Sequence, residues 1–236
     1  FRYRASEDAV LSVGWVVVII SGQRLDLVRF GALGSELTCL ENDSELDDYA
    51  YRVAGSVGEF WTANNLQNEL SGDIADTATF DSLGIRFGKA LQMTNILRDI
   101  PADLALGRCY IPSERLAEIG LSYEDLRNPE SITAFRPLYD SYLDLTCHHY
   151  EAAISYIRMI PRKYRSLRMA CMLPVVIGLE TLALLRTGNV LDAYERIKVD
   201  RGRIKKIAIS CSISTRFKPM ENRILNNAVN RARNDS

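Results

Sequence analysis

Residues 91 to 112 read LQMTNILRDIPADLALGRCYIP, and their apolar residues recur at helical spacing around two carboxylates, Asp99 and Asp103, with Pro101 between them. A helix turns about 100° per residue, so with Gln92 at zero, Asn95, Asp99 and Asp103 fall near about −60°, −20° and +20°. The four polar side chains form one stripe about three turns long. Its flanks are mostly Leu, Ile, Met and Ala. Two ionised carboxylates beside an apolar core cost several kcal/mol unless a cation meets them. Mg²⁺ meets that need, because it takes one or two carboxylates and completes its shell with water and phosphate oxygens.

Chance supplies an alternative. A chain with 30 Asp plus Glu contains other acid pairs four apart, such as Asp43 and Asp47, which sit where a helix start would favour acids. Pro101 leaves a second question open. It removes one backbone hydrogen bond and crowds the Leu97 carbonyl, so the helix either kinks there and keeps Asp103 beside Asp99, or ends there and separates them.

Outward from this stretch the same periodicity continues. ELDDYAYRVAGSVGEFWT, SLGIRFGKALQMTNILRDI, AFRPLYDSYLDLTCHHYEAAISYIRMI, YRSLRMACMLPVVIGLETLALLRTG and NVLDAYERIKVDRGRIKKIAISC each predict several helical turns. Asp43 or Ser44 offers an N-cap, Gly188 a stop, and RNPES a turn before the next helix. Strand signals are scarce. The expectation is one all-α domain over residues 1–216, followed by a polar C-terminal tail or loosely docked helix from 217 to 236.

Composition narrows the function. With 47% hydrophobic residues, 25% charged residues and a net charge of −1, the 236-residue chain is neither disordered in character nor a nucleic-acid binder by charge. Five cysteines without a CxxC pair argue against a secreted disulfide framework and for a reducing cytoplasm. The apolar runs Val13–Ile20 and Met169–Leu185 both fall short of the ~20 residues that span a bilayer, so core helices are expected. The first residues do not read as a signal peptide.

The string Gln92-x-x-Asn95-Ile96-Leu97-Arg98-Asp99-x-x-x-Asp103-x-x-x-Gly107-Arg108-x-Tyr110-x-Pro112 resembles the second aspartate-rich signature of the squalene/phytoene synthases. These enzymes join two prenyl diphosphates head to head. YAYRVAGSVG, residues 49–58, is similar to an upstream helix of that family, and SLRMACMLPVVIGLETLALL and RIKVDRGRIKKI resemble its later helices. The resemblance covers roughly residues 15–210.

It implies an isoprenoid-synthase-type helical bundle around a central cavity. It assigns Asp99 and Asp103 to Mg²⁺-bridged diphosphate, puts Gln92 and Asn95 in the same pocket, and brings Arg98, Arg108 and Tyr110 near diphosphate. Tyr49 matches a tyrosine of the chemistry that follows diphosphate loss, with a buried core tyrosine as the alternative. Gly55, Gly58, Gly84 and Gly88 would leave room for a prenyl chain, or else let helices pack closely. Arg201 and Lys205 belong to a basic run that either faces solvent or approaches diphosphate or a nicotinamide cofactor. His148 and His149 have no partner at ligand spacing.

The family's first aspartate-rich motif has no counterpart here, since residues 1–14 hold only Glu7 and Asp8, and SGQRLDLVRF resembles a segment that follows it. The chain is therefore expected either to lack N-terminal helices of a longer enzyme or to be a degenerate, non-catalytic homologue. Ala102, where many members carry an acid, argues against an additional metal contact. The expected reaction is condensation of two farnesyl diphosphates through presqualene diphosphate to squalene with NADPH, or to dehydrosqualene without it. Phytoene synthesis from geranylgeranyl diphosphate is the alternative. A helical protein that uses the stripe as an ion pair or partner groove is the rival outside enzymology. Apolar substrates are compatible with peripheral membrane association.

Overall fold

The long periodic stretches become long helices, and one of them, Thr77–Arg98 (α3), organises the rest. The computed structural model describes residues 38–233, together with Ile20. The expectations for residues 1–14, for the Val13–Ile20 run except Ile20 and for SGQRLDLVRF lie outside the described residues.

Before α3 comes one continuous helical run, made of Asp43–Ala50 (α1), a π-helical turn at Tyr51–Gly55, and Ser56–Gln67 (α2). Its cap is neither Asp43 nor Ser44. Asn42 takes an extended backbone, and its side-chain oxygen accepts the Glu45 N–H at 3.1 Å. In the π turn the Ser56 N–H reaches back five residues to Tyr51, while the Ser56 hydroxyl donates to the Arg52 carbonyl at 2.9 Å.

After α3 follow Ile100–Ala105 (α4), Ser113–Glu118 (α5), Ile132–Met159 (α6), Arg165–Thr187 (α7), Arg201–Ser214 (α8) and Lys218–Arg233 (α9). Two short strands, Thr38–Cys39 (β1) and Arg108–Cys109 (β2), pair in parallel.

Helix α3 packs on α2, α6 and α7, and α6 also contacts α7 and α9. The crossing of α2 and α3 is close because of glycine. A Cβ on Gly58 would lie 2.0 Å from the Gly84 carbonyl oxygen, and one on Gly88 would lie 2.0 Å from the Ala54 carbonyl oxygen. Close packing is thus an observed role of these residues.

Buried tyrosines of α6 pin the neighbouring helices. Tyr150 shares a hydrogen bond of 2.8 Å with Thr94, and the Tyr156 hydroxyl lies 3.2 Å from that of Thr62. Each ring adds roughly 2 kcal/mol of apolar burial, with its hydroxyl satisfied.

One further expectation changes. The segment from Asn189 to Asp200 is irregular, and helix α8 begins at Arg201 because the Asp200 side chain caps it through the Arg203 N–H at 2.9 Å. Of the two readings of the C-terminal segment, the docked helix is the one seen, over Lys218–Arg233. Although its mean composition is polar, α9 spaces Glu221, Leu225, Ala228 and Ala232 along one buried face. Helix α7 is long and apolar enough by length and composition to cross a membrane, but ten of its residues are buried in the bundle, as expected of a core helix.

Candidate functional site

Pro101 both breaks the helix and preserves its register. Helix α3 ends at Arg98, Asp99 sits at the junction with φ −101° and ψ 17°, and α4 starts at Ile100. Yet the Asp99 N–H donates to the Asn95 carbonyl at 2.9 Å and the Asp103 N–H to the Asp99 carbonyl at 3.0 Å. Four-residue steps therefore carry across the break. The carbonyl that proline leaves without its helical donor is that of Leu97, and the buried Tyr139 hydroxyl donates to it at 2.9 Å.

Asp99 is the centre of the charge. Arg98 Nε reaches its Oδ1 at 3.0 Å, Arg98 Nη2 pairs with Oδ2, and Arg196 Nη2 reaches Oδ1 at 2.8 Å. Arg98 also donates to the Asn95 side-chain oxygen at 3.0 Å. Burial pushes the Asp99 carboxyl up, but the two guanidiniums outweigh it and hold its pKa below the ordinary value. The carboxylate is ionised at neutral pH. Arg98, Asp99, Pro101 and Arg196 line one cleft of about 250 Å³, with Val190 and Ile197 among its apolar walls.

A second group lies beside the first. Asp103, Arg108 and Tyr110 border a narrow gap with Ile96 and Ile100, and the Tyr110 ring stacks on Tyr49 with centroids 4.7 Å apart. Both tyrosines are buried. Gln92 is half-buried one turn before Asn95.

Earlier turns of α3 border a different space. An apolar cleft of about 430 Å³ lies between the π turn, α2, α3 and α7, with Val57, Trp61, Phe87 and Leu91 among its walls. Gly58 and Gly88 line it as well, while Gly55 is buried at the helix crossing. Phe87, Leu91, Asn95 and Arg98 share one face of α3 by helical spacing. Leu91 stands about 12 Å from Asp99 along the axis.

Arg201 and Lys205 stand outside this cluster, exposed on α8. Of that basic run, the residue bonded to Asp99 is Arg196, in the irregular segment before α8. The readable signal was Asp200 as a cap. His148 is exposed, and His149 is half-buried beside Arg86, where burial and the neighbouring cations hold its pKa down at about 4.

Among the described residues no group of three or more His, Cys, Asp and Glu side chains gathers as a metal cage. Asp99 and Asp103 are oxygen donors of the kind a hard cation takes, Asp99 on the arginine-lined cleft and Asp103 on the neighbouring gap.

A sequence model of the squalene/phytoene synthase family matches residues 3–203. The chain is 34% identical over 153 residues to the 15-cis-phytoene synthase of Synechocystis sp., covering 62% of this chain and 42% of that one. It is 33% identical over 156 residues to the presqualene diphosphate synthase of Zymomonas mobilis, covering 63% and 45%. The matched stretches thus span less than half of these relatives. A crystal structure of a dehydrosqualene synthase in complex with ligand aligns with a TM-score of 0.67 at 23% identity, over 86% of this chain and 65% of that one. The all-α isoprenoid-synthase-type bundle is therefore the observed fold.

Proposed function

Because the chain belongs to the squalene/phytoene synthase family, we propose that it is the part of a prenyltransferase that joins two farnesyl diphosphates head to head into a C30 product. The observation that carries this reading is the junction at Asp99. It keeps Asn95, Asp99 and Asp103 four residues apart at the end of a helix whose earlier turns wall an apolar cleft.

The division of labour follows from charge and wetness. The apolar cleft takes the prenyl chain, and the charged end takes the diphosphate. Mg²⁺, held by Asp99 and Asp103, would supply positive charge to the diphosphate as it leaves. Arg98, Arg108 and Arg196 add guanidinium donors for the same oxygens, worth more there than in open water. Gln92 and Asn95 orient the head group. Tyr49 and Tyr110 present a buried aromatic wall to the allylic cation and keep water from it.

Phytoene synthesis from geranylgeranyl diphosphate is the second reading, favoured by the Synechocystis relative. NADPH decides between squalene and dehydrosqualene within the first. The free cysteines suit a reducing cytoplasm, and the apolar product suits peripheral contact with a membrane.

The test is incubation of the full-length protein with farnesyl diphosphate and Mg²⁺, with and without NADPH. Diphosphate release and a C30 product are expected, squalene with NADPH and dehydrosqualene without it. Asp99→Asn and Asp103→Asn should each lower turnover by about 10²–10³-fold or more. No diphosphate release would sink the enzyme reading, and a C40 product made only from geranylgeranyl diphosphate would select phytoene synthesis.

A further inference from the structure

Strands β1 and β2 are two residues long, and their parallel register sets Cys39 directly opposite Cys109. Side chains opposite one another on paired strands leave the same face, and such strands run about 4.8 Å apart. That spacing lies within the ~4.4–6.8 Å between Cα atoms that disulfides occupy. The two thiols also converge on one acceptor. Cys39 Sγ donates to the Ile111 carbonyl at 2.9 Å, and Cys109 Sγ to the same carbonyl at 3.5 Å. Cys147, Cys171 and Cys211 are buried in three separate helices.

We propose that Cys39 and Cys109 form a reversible intramolecular disulfide when the protein meets a low-molecular-weight disulfide of the glutathione type. Cys39 is the half-buried, reachable member of the pair. It loses its proton and attacks one sulfur of the small disulfide; that S–S bond breaks, and one half leaves and is protonated to a thiol. The hydrogen bond with Cys39, followed by burial, holds the Cys109 thiol well above its ordinary range, so Cys109 acts second. It loses its proton, attacks the Cys39 sulfur of the mixed disulfide and releases the other half as a thiol. Two protein thiols become one disulfide, and one small disulfide becomes two thiols.

The staple would lie beside the candidate site. Cys39 leads into the helix that carries Tyr49, and Cys109 stands between Arg108 and Tyr110. Closure links positions about seventy residues apart and removes two S–H donors from the carbonyl that follows Tyr110.

The full-length protein is equilibrated over a range of oxidised to reduced glutathione, quenched in acid, alkylated and mapped by peptide mass. The expected result is a Cys39 peptide joined to a Cys109 peptide, two hydrogens lighter than the pair, with Cys147, Cys171 and Cys211 still open to alkylation after unfolding. The oxidised protein should melt several degrees higher than the reduced one. Cys39→Ser and Cys109→Ser should each leave no linked peptide. If a variant fails to fold, the wild-type map decides by itself. A mixed disulfide that persists on Cys39 beside a free Cys109, or both thiols alkylated at every ratio, would overturn the proposal.

Discussion

Two arginine–carboxylate clusters use the same chemistry in different surroundings. At Asp99, Arg98 and Arg196 share one carboxylate whose side chain keeps 20% of its surface exposed, and Arg196 keeps 64%. At Glu221, Arg168 pairs with a carboxylate that is 1% exposed and is itself 3% exposed, with Arg162 at 3.6 Å. Arg168 further donates to the Ile157 carbonyl at 2.6 Å and to that of Ile160, satisfying the C-terminal end of α6. Arg168 spends its Nε, Nη1 and Nη2 groups on partners inside the fold, and only the outer Arg162 keeps 38% of its side chain exposed. In the first cluster, the exposed Arg196 guanidinium can exchange its carboxylate for water. Access to water separates a clamp from a site.

The sharpest way to break this contrast is to remove one partner from each cluster. Glu221→Ala leaves Arg168 charged and buried without its carboxylate, and should cost about 3–5 kcal/mol. Urea unfolding followed by circular dichroism reads this directly, with a fall in Tm of about 10 °C alongside. Asp99→Asn should change stability by about 1 kcal/mol or less, because water can solvate the released guanidiniums. Equal losses at both positions would mean that Asp99 is also a structural clamp, and the assignment of the cleft to ligand would lose its physical basis.

Sequence made this contrast only half legible. Periodicity identified α3, α6 and α7, and the stripe of Gln92, Asn95, Asp99 and Asp103 pointed to the charged end of α3. Whether the helix kinks or ends at Pro101 was not readable: it ends, yet backbone bonds from Asp103 to Asp99 and from Asp99 to Asn95 cross the break while the Tyr139 hydroxyl fills the Leu97 carbonyl. Arg196 was hidden for a related reason. Read as mid-helix, it faces anywhere; released by the Asp200 cap, it folds back on Asp99. The segment after 217 read equally as a tail or a docked helix, since its average polarity masks one apolar face. The partner that makes Glu221 tolerable in that face lies 53 positions away. Local chemistry reached the helices, whereas the partners of buried polar groups required the fold.

A smaller effect sharpens the contrast at the Asp99 end alone. Burial raises this carboxyl and the Arg98 and Arg196 guanidiniums lower it further, so its folded pKa lies below the unfolded value of about 3.9. A depressed carboxyl contributes stability that is fully present above the unfolded pKa and is lost as pH falls through the folded one. The stability difference between the wild type and Asp99→Asn should therefore be constant from neutral pH to about pH 5 and shift toward the variant below about pH 4. Replacing Arg196 by Gln removes one of the two opposing charges and brings the folded pKa closer to the unfolded one, so the loss should be smaller than in the wild type and complete at higher pH. Urea midpoints measured for the three proteins between neutral pH and pH 3 check both statements. A midpoint difference independent of pH throughout would show that the guanidiniums do not hold Asp99 ionised, and that the charge at the end of α3 is set by something other than this pair.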